Sequence, residues 1–363
     1  MSDPREICVR FPKFFVGFLA PAPILNTNYA AVRKASENSM LRSCDLTARQ
    51  TRAILDCNFS YFAAVMVPFA DAELLRIICD WGNWIFPFDD LFDNGNVRND
   101  VARASEVMDT LEATFREGSK SGRSRQDDCK HIKPLLDIAR MHEGIFSAIR
   151  LHSSAGICRR YVSSMAEYRE GSMAQVRQVQ TAHEASFERL LRQRRQSVCV
   201  APLFALVELG HRIRLPDEAF DDHRVQSIQR LGIEITLLHN DVLSYHKEEK
   251  EGVPHNVITA CRKQGLSAQT ALDFVGSEVS HRIADFERTA RELDESRDEW
   301  SDELVRYIQG IRDVIRANLH WSFHSNRFLS PEQKFTLLKE GTLQLASGIS
   351  GAPTASRPAP AMT

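Results

Sequence analysis

The chain has 363 residues, 43% of them hydrophobic, enough to bury a sizeable core in one large or two medium domains. Its 46 basic and 48 acidic residues are interspersed and leave a net charge of −2, so there is no electrostatic footprint for nucleic acid or an anionic membrane, and any phosphate binding must be local. With no signal-peptide core at its start, no apolar run longer than YFAAVMVPFA (61–70), and eight scattered cysteines lacking a CxxC pair, the chain reads as a soluble, cytoplasmic protein with reduced thiols, a monomer or homodimer.

Helical periods dominate. Apolar residues recurring at steps of three and four predict helices over 46–67, 71–86, 101–118, 133–150, 163–178, 187–196, 201–213, 220–249, 271–300 and 301–328. In the ninth of these, Leu272, Val275, Val279, Ile283 and Phe286 form one stripe. No run alternates with period two between turns, so no strand is predicted. Ten helices are too many for a four-helix bundle, and the expectation is an all-α globule of antiparallel helices around a cavity. The polar stretch REGSKSGRSRQDDCK (116–130) reads as a surface loop. From 341 the composition turns to Gly, Ser, Ala and Pro, so residues 341–363 are expected to be a disordered tail behind a single domain of residues 1–340.

Two polar constellations interrupt this apolar pattern. In WIFPFDDLFDNG (84–95), Asp89 and Asp93 stand at i and i+4 on one helix face with Asp90 beside them. Carboxylates at that spacing suit a hard cation such as Mg²⁺, although a solvated acidic helix end turning at Asn94-Gly95 would give the same cluster. In NDVLSYHKE (240–248), Asn240, Ser244 and Glu248 stand at i, i+4 and i+8 and line one face for roughly 12 Å. An amide, a hydroxyl and a carboxylate form a chelating set for a second hard ion, and Lys247 adds a positive charge suited to phosphate. The preceding LGIEITLLH is strongly apolar, so polar groups there cost desolvation unless they bind something.

Together, DDxxD followed by NDxxSxxxE on a later helix resembles the class I terpene synthases, in particular the fungal sesquiterpene synthases, over roughly residues 10–335. The resemblance implies an all-helical isoprenoid-synthase fold. It implies that Asp89, Asp90, Asp93, Asn240, Ser244 and Glu248 hold Mg²⁺, three ions in all, and that the substrate is farnesyl diphosphate, cyclised after loss of diphosphate. It also places a diphosphate-sensing arginine at Arg194, with Arg195 a near alternative, followed by a helix break at Ser197 and Val198. In WSFHSNRF, Arg327 matches an arginine that grips diphosphate, while Phe328 stands where the family carries tyrosine. Phe62, Phe86 and Trp321 are the expected aromatic lining of a dry cavity that stabilises a carbocation. Phe88 and Phe92 are expected to turn into packing. The rivals are a chain-elongating prenyltransferase, which would carry a second DDxxD, another substrate length (geranyl or geranylgeranyl diphosphate), and an inactive scaffold of the same fold.

Overall fold

The computed structural model describes residues 6–43, 48–93, 95, 97–116, 133–181, 186–296 and 300–346. Among them, fourteen α-helices run in chain order: α1 (Tyr29–Ser43), α2 (Ala48–Cys57), α3 (Phe59–Met66), α4 (Ala72–Asp93), α5 (Val101–Ala113), α6 (Lys133–His152), α7 (Ala155–Thr181), α8 (Phe187–Ser197), α9 (Ala201–Gly210), α10 (His223–Glu251), α11 (Val257–Lys263), α12 (Ala268–Ser296), α13 (Ser301–His324) and α14 (Pro331–Glu340). The all-α expectation holds. The stretch read as one helix over 46–67 is two, because Asn58 adopts the left-handed conformation (φ 47°), which a short amide side chain tolerates. Helices α1, α11 and α14 are additions to the ten predicted. The loop expected at 116–130 lies outside the described residues beyond Arg116.

Two helices frame the interior. The 22-residue α4 continues through Pro87, whose missing N–H leaves the carbonyl of Asn83 without its helical donor just before the acidic turn. The 29-residue α10 is capped at its start by Asp222, whose side chain accepts from the Arg224 N–H at 2.7 Å, and ends at Gly252 in the left-handed conformation. Helix α9 touches both α4 and α10, while α3, packed on α4, meets α13, packed on α10. The space between the two long helices is thereby walled on both sides.

The tail expectation needs correcting at its start. Thr342–Ala346 forms a strand antiparallel to Glu6–Arg10, with Ile7 opposite Leu345 and Val9 opposite Leu343. Val9, Leu343 and Leu345 are buried on the face of this two-stranded sheet that meets the core. The alternation is only five residues long in each segment, and the partner lies at the other end of the chain, so neither strand stands out locally. Residues 347–363 lie outside the described residues. No helix among the described residues is long and apolar enough to cross a membrane, and the six described cysteines are unpaired.

Candidate active site

The two polar constellations meet at one cavity. It occupies about 640 Å³ including its open mouth, and Asp89 from α4 and Asn240 from α10 both line it. The remainder of the wall is mainly apolar: Phe62, Met66, Ile78, Trp81, Ile85, Phe86 and Leu203. A concave wall of mostly hydrophobic groups with a few convergent polar ones is the composition of a small-molecule site.

On the α4 side each carboxylate is held by its own side chain, two of them from α7 and one from the segment after α13. The Tyr168 hydroxyl, on α7, donates to Asp89 Oδ1 at 2.8 Å, and Gln175 Nε2, two turns further along α7, donates to Asp93 Oδ1 at 2.6 Å. Arg327, just beyond α13, grips Asp90 with both arms of its fork, at 2.6 and 3.2 Å. Burial pushes the Asp89 carboxyl well above the usual carboxylate range, Asp93 pushes it further, and the Tyr168 hydrogen bond draws it partly back. Burial likewise raises Asp93, opposed by Arg194 and Gln175. Asp89 remains partly open to the cavity, so an incoming cation can reach a carboxylate that the protein itself leaves short of positive charge.

On the α10 side the donors are of a different kind. Ser244 is fully buried and its Oγ has no hydrogen-bond partner. Glu248 Oε2 accepts from Asn256 Nδ2 at 2.9 Å. Its carboxyl is pushed up to about 7, first by burial and then by Asp241, against the pull of Arg194 and Asn256; the negative charge of Asp93 on the opposite wall adds to the rise. Asn240 faces the cavity. Among the described residues no three His, Cys, Asp or Glu side chains close around one point. The residues nevertheless fit hard cations: oxygen donors on two facing walls, carboxylates raised by burial and then by neighbouring negative charge, and a buried hydroxyl with nothing to bind.

The arginines separate cleanly. Buried Arg194 pairs with Asp241, whose other oxygen accepts from the Val257 N–H at 2.9 Å. Burial works against its charge, but Asp241, Asp93 and Glu248 outweigh that and hold it cationic. Arg195 turns the other way, to Glu234 at 2.7 Å. Past Arg194 the helix ends, Cys199 takes a left-handed φ of 55°, and Val198, Cys199 and Val200 open onto the cavity, so the expected break sits where the sequence places it. Ser197 is buried with an unpartnered Oγ. At Gly171 a Cβ would lie 2.6 Å from Ser197 N and Gln196 Cβ, so glycine is what lets α7 approach α8. Lys247 is a partial miss: it pairs with Glu251 at 3.7 Å and does not line the cavity.

Among the aromatics, Phe62 and Phe86 line the cavity as expected, and Phe88 and Phe92 are buried in packing. Trp321 is a correction. It is fully buried behind Phe86, 4.9 Å between ring centroids, with its indole N–H turned to the Cys57 carbonyl at 2.8 Å, so it backs the wall rather than forming it. The indole at the surface of the cavity is Trp81, which shares a helix face with Ile85 and Asp89 at steps of four. Phe328 is buried, edge-on to Trp321 and 5.7 Å from the Arg327 guanidinium. Tyr168, Gln175, Asp241, Asn256 and Trp81 were not singled out from sequence. The one signal for Tyr168 and Gln175 is their seven-residue spacing, which puts both on one face of α7.

Comparison with known proteins gives a consistent answer. Residues 80–285 match the model of terpene synthase family 2, C-terminal metal binding. The chain is 33% identical to silphinene synthase of Penicillium patulum, over 90% of this chain and 87% of that one. It is 32% identical to cycloaraneosene synthase of Sordaria araneosa, over 89% and 86%. Among solved structures, cucumene synthase superposes with a TM-score of 0.69 at 19% identity, covering 83% of this chain and 98% of that one. Linalool/nerolidol synthase from Streptomyces clavuligerus gives 0.70 at 20%, with the same coverage. Two facing sets of oxygen donors over an apolar cavity, on a fold shared with these enzymes and in a sequence that matches the family model across both sets, make this chain a class I terpene synthase of terpene synthase family 2.

Proposed function

We propose that the enzyme is a Mg²⁺-dependent sesquiterpene synthase that ionises farnesyl diphosphate and cyclises the resulting cation to a hydrocarbon or alcohol. The observation that carries this reading is the single cavity into which Asp89, Asn240, Phe62 and Phe86 all face. The curated relatives are named for terpene products that differ from one another, which supports cyclisation and leaves the product of this chain to its own cavity shape.

Asp89 and Asp93, with Asp90 assisting, are the residues that would hold magnesium on the α4 wall, and Asn240, Ser244 and Glu248 those on the α10 wall; three ions are proposed. When bound, the ions neutralise charge developing on the departing diphosphate. The chain's own residues do the rest. Arg194 and Arg327 are fork-shaped donors, paired with Asp241 and Asp90 until a diphosphate competes for them. Lys247, paired with Glu251 off the cavity wall, is assigned only a long-range contribution of charge. The apolar wall keeps water from the allylic cation left by C–O cleavage, and the faces of Phe62 and Phe86 meet it without reacting. A proton lost from carbon, or water added at the last cation, completes the reaction. We further propose one catalytic domain over residues 1–340 together with the closing strand Thr342–Ala346, monomeric or dimeric, in the cytoplasm.

The test incubates purified enzyme with geranyl, farnesyl and geranylgeranyl diphosphates, with and without Mg²⁺, and analyses volatiles by gas chromatography and mass spectrometry. Cyclic C15 products from farnesyl diphosphate in the presence of Mg²⁺ are expected. A well folded protein that turns over none of the three contradicts the reading.

A further inference from the structure

Beneath Trp81 runs a hydrogen-bonded chain through four helices. The Trp81 indole Nε1–H donates to the Tyr161 hydroxyl at 2.8 Å; Tyr161 Oη lies 2.7 Å from His142 Nε2; His142 Nδ1 lies 2.7 Å from Thr114 Oγ1; and Thr114 donates to the Leu111 carbonyl at 2.6 Å. Tyr161 and His142 are completely buried, and Trp81 nearly so. The two ends fix the direction of every proton between them. An indole N–H can only donate and a carbonyl can only accept, so Thr114 accepts from His142 Nδ1–H, and His142 Nε2, left bare, accepts from Tyr161. The imidazole is therefore neutral and a single tautomer, in keeping with the burial that pushes it down to about 3. It is boxed by Trp84, Phe115, Phe146 and Tyr161, with ring centroids 4.7 to 6.0 Å away, which leaves it no other partner.

We propose that Tyr161, His142 and Thr114 are positioning residues that lock the orientation of the Trp81 ring in the cavity wall, and that this orientation selects among competing cyclisation products. The inference rests on the carbocation reading above. Trp81 lies two helical turns from Asp89 on the same face of α4, roughly 12 Å away along the axis, so it meets the part of the substrate remote from the diphosphate. There its π-face stabilises whichever cationic carbon it covers, and a rotated ring favours a different one. Because these groups never touch the diphosphate, they act on product choice after ionisation rather than on ionisation itself.

The experiment compares the native enzyme with Tyr161→Phe, Thr114→Val, Thr114→Ser and Trp81→Phe, reading product distribution, the rate of diphosphate release, and solvent exchange of the ¹⁵N-labelled indole N–H of Trp81, assigned by its loss in Trp81→Phe. Tyr161→Phe is expected to change the ratio of main to side products about fivefold, the worth of one lost hydrogen bond, with diphosphate release within about threefold of native. Indole exchange is expected to accelerate about tenfold. Thr114→Val shifts products in the same direction by less, and Thr114→Ser restores the native profile. An unchanged profile in Tyr161→Phe and Thr114→Val, from an enzyme that Trp81→Phe does alter, overturns the proposal. So does a loss of diphosphate release with no change in profile. Should the native enzyme make no product at all, the functional reading fails first; unaltered indole exchange in Tyr161→Phe would then separately dispose of the chain.

Discussion

The two walls of the active site are both polar, yet they are built in opposite ways. On α4, Asp89, Asp90 and Asp93 are already held by Tyr168, Arg327 and Gln175, the first and last from α7 and Arg327 from the segment after α13. On α10, Ser244 is buried with no partner, and Glu248 has an amide from Asn256. The first wall is aimed before any ligand arrives; the second keeps donor capacity open for one. Both therefore work against stability, the first by crowding carboxylates and the second by burying a hydroxyl without a hydrogen bond.

The sharpest way to break this contrast is Glu248→Gln. Turnover is expected to fall by roughly a thousandfold or more, as for loss of a preorganised electrostatic group, while circular dichroism stays unchanged. The same variant carries a stability signature. Because the folded-state carboxyl is raised to about 7 from an ordinary value of 4.5, the folded enzyme binds this proton more tightly than the unfolded chain, so metal-free stability falls as pH rises from about 4.5 to about 7. Glu248→Gln should remove part of that slope in thermal melts; an unaltered slope would mean Glu248 is not its source. Next in size is Gly171→Ala. The added methyl meets the backbone of α8, so a loss of about 2–3 kcal/mol is expected in denaturant titrations, and activity should fall further than stability because α7 carries both Tyr168 and Gln175. Tyr168→Phe keeps the ring and removes the donor to Asp89; a decrease of about tenfold in kcat is expected, from steady-state kinetics, and no decrease would show that Asp89 needs no holding. The smallest effect belongs to Phe328→Tyr. It returns a hydroxyl next to Arg327 in a buried position, and about threefold tighter inhibition by inorganic diphosphate is expected in the presence of Mg²⁺.

What could be read from sequence follows the same division. Ligand spacing on a single helix is a local property, so Asp89 with Asp93, and Asn240 with Ser244 and Glu248, could be placed on common faces before any packing was known. The groups that hold them could not. Tyr168 and Gln175 matter because of how α7 is rotated against α4, and Asp241 because it faces Arg194 across a gap of 47 residues in sequence. Trp321 was misplaced for the same reason: an apolar helix face shows that a ring is buried, not whether it forms a cavity wall or backs one. Trp81 sits in an apolar stretch with nothing to separate it from Trp84; both are buried, and only the rotation of α4, which turns Trp84 to the Ile138 carbonyl, leaves Trp81 facing the cavity.

The small sheet has a consequence for the order of assembly. Residues 6–10 leave the ribosome well before their partners, 342–346, so this pairing closes only after the intervening helices have been synthesised. Between α13 and that clasp lies the segment bearing Arg327, pinned on its far side by the Phe11 N–H to Gly341 carbonyl bond of 2.8 Å and by Lys334 on Ser325 and Asn326 at 2.9 and 2.8 Å. The contact of Arg327 with Asp90 is thus fastened by a pairing that comes after the helices lining the aromatic chamber, so the two parts of the site are secured at different stages of assembly.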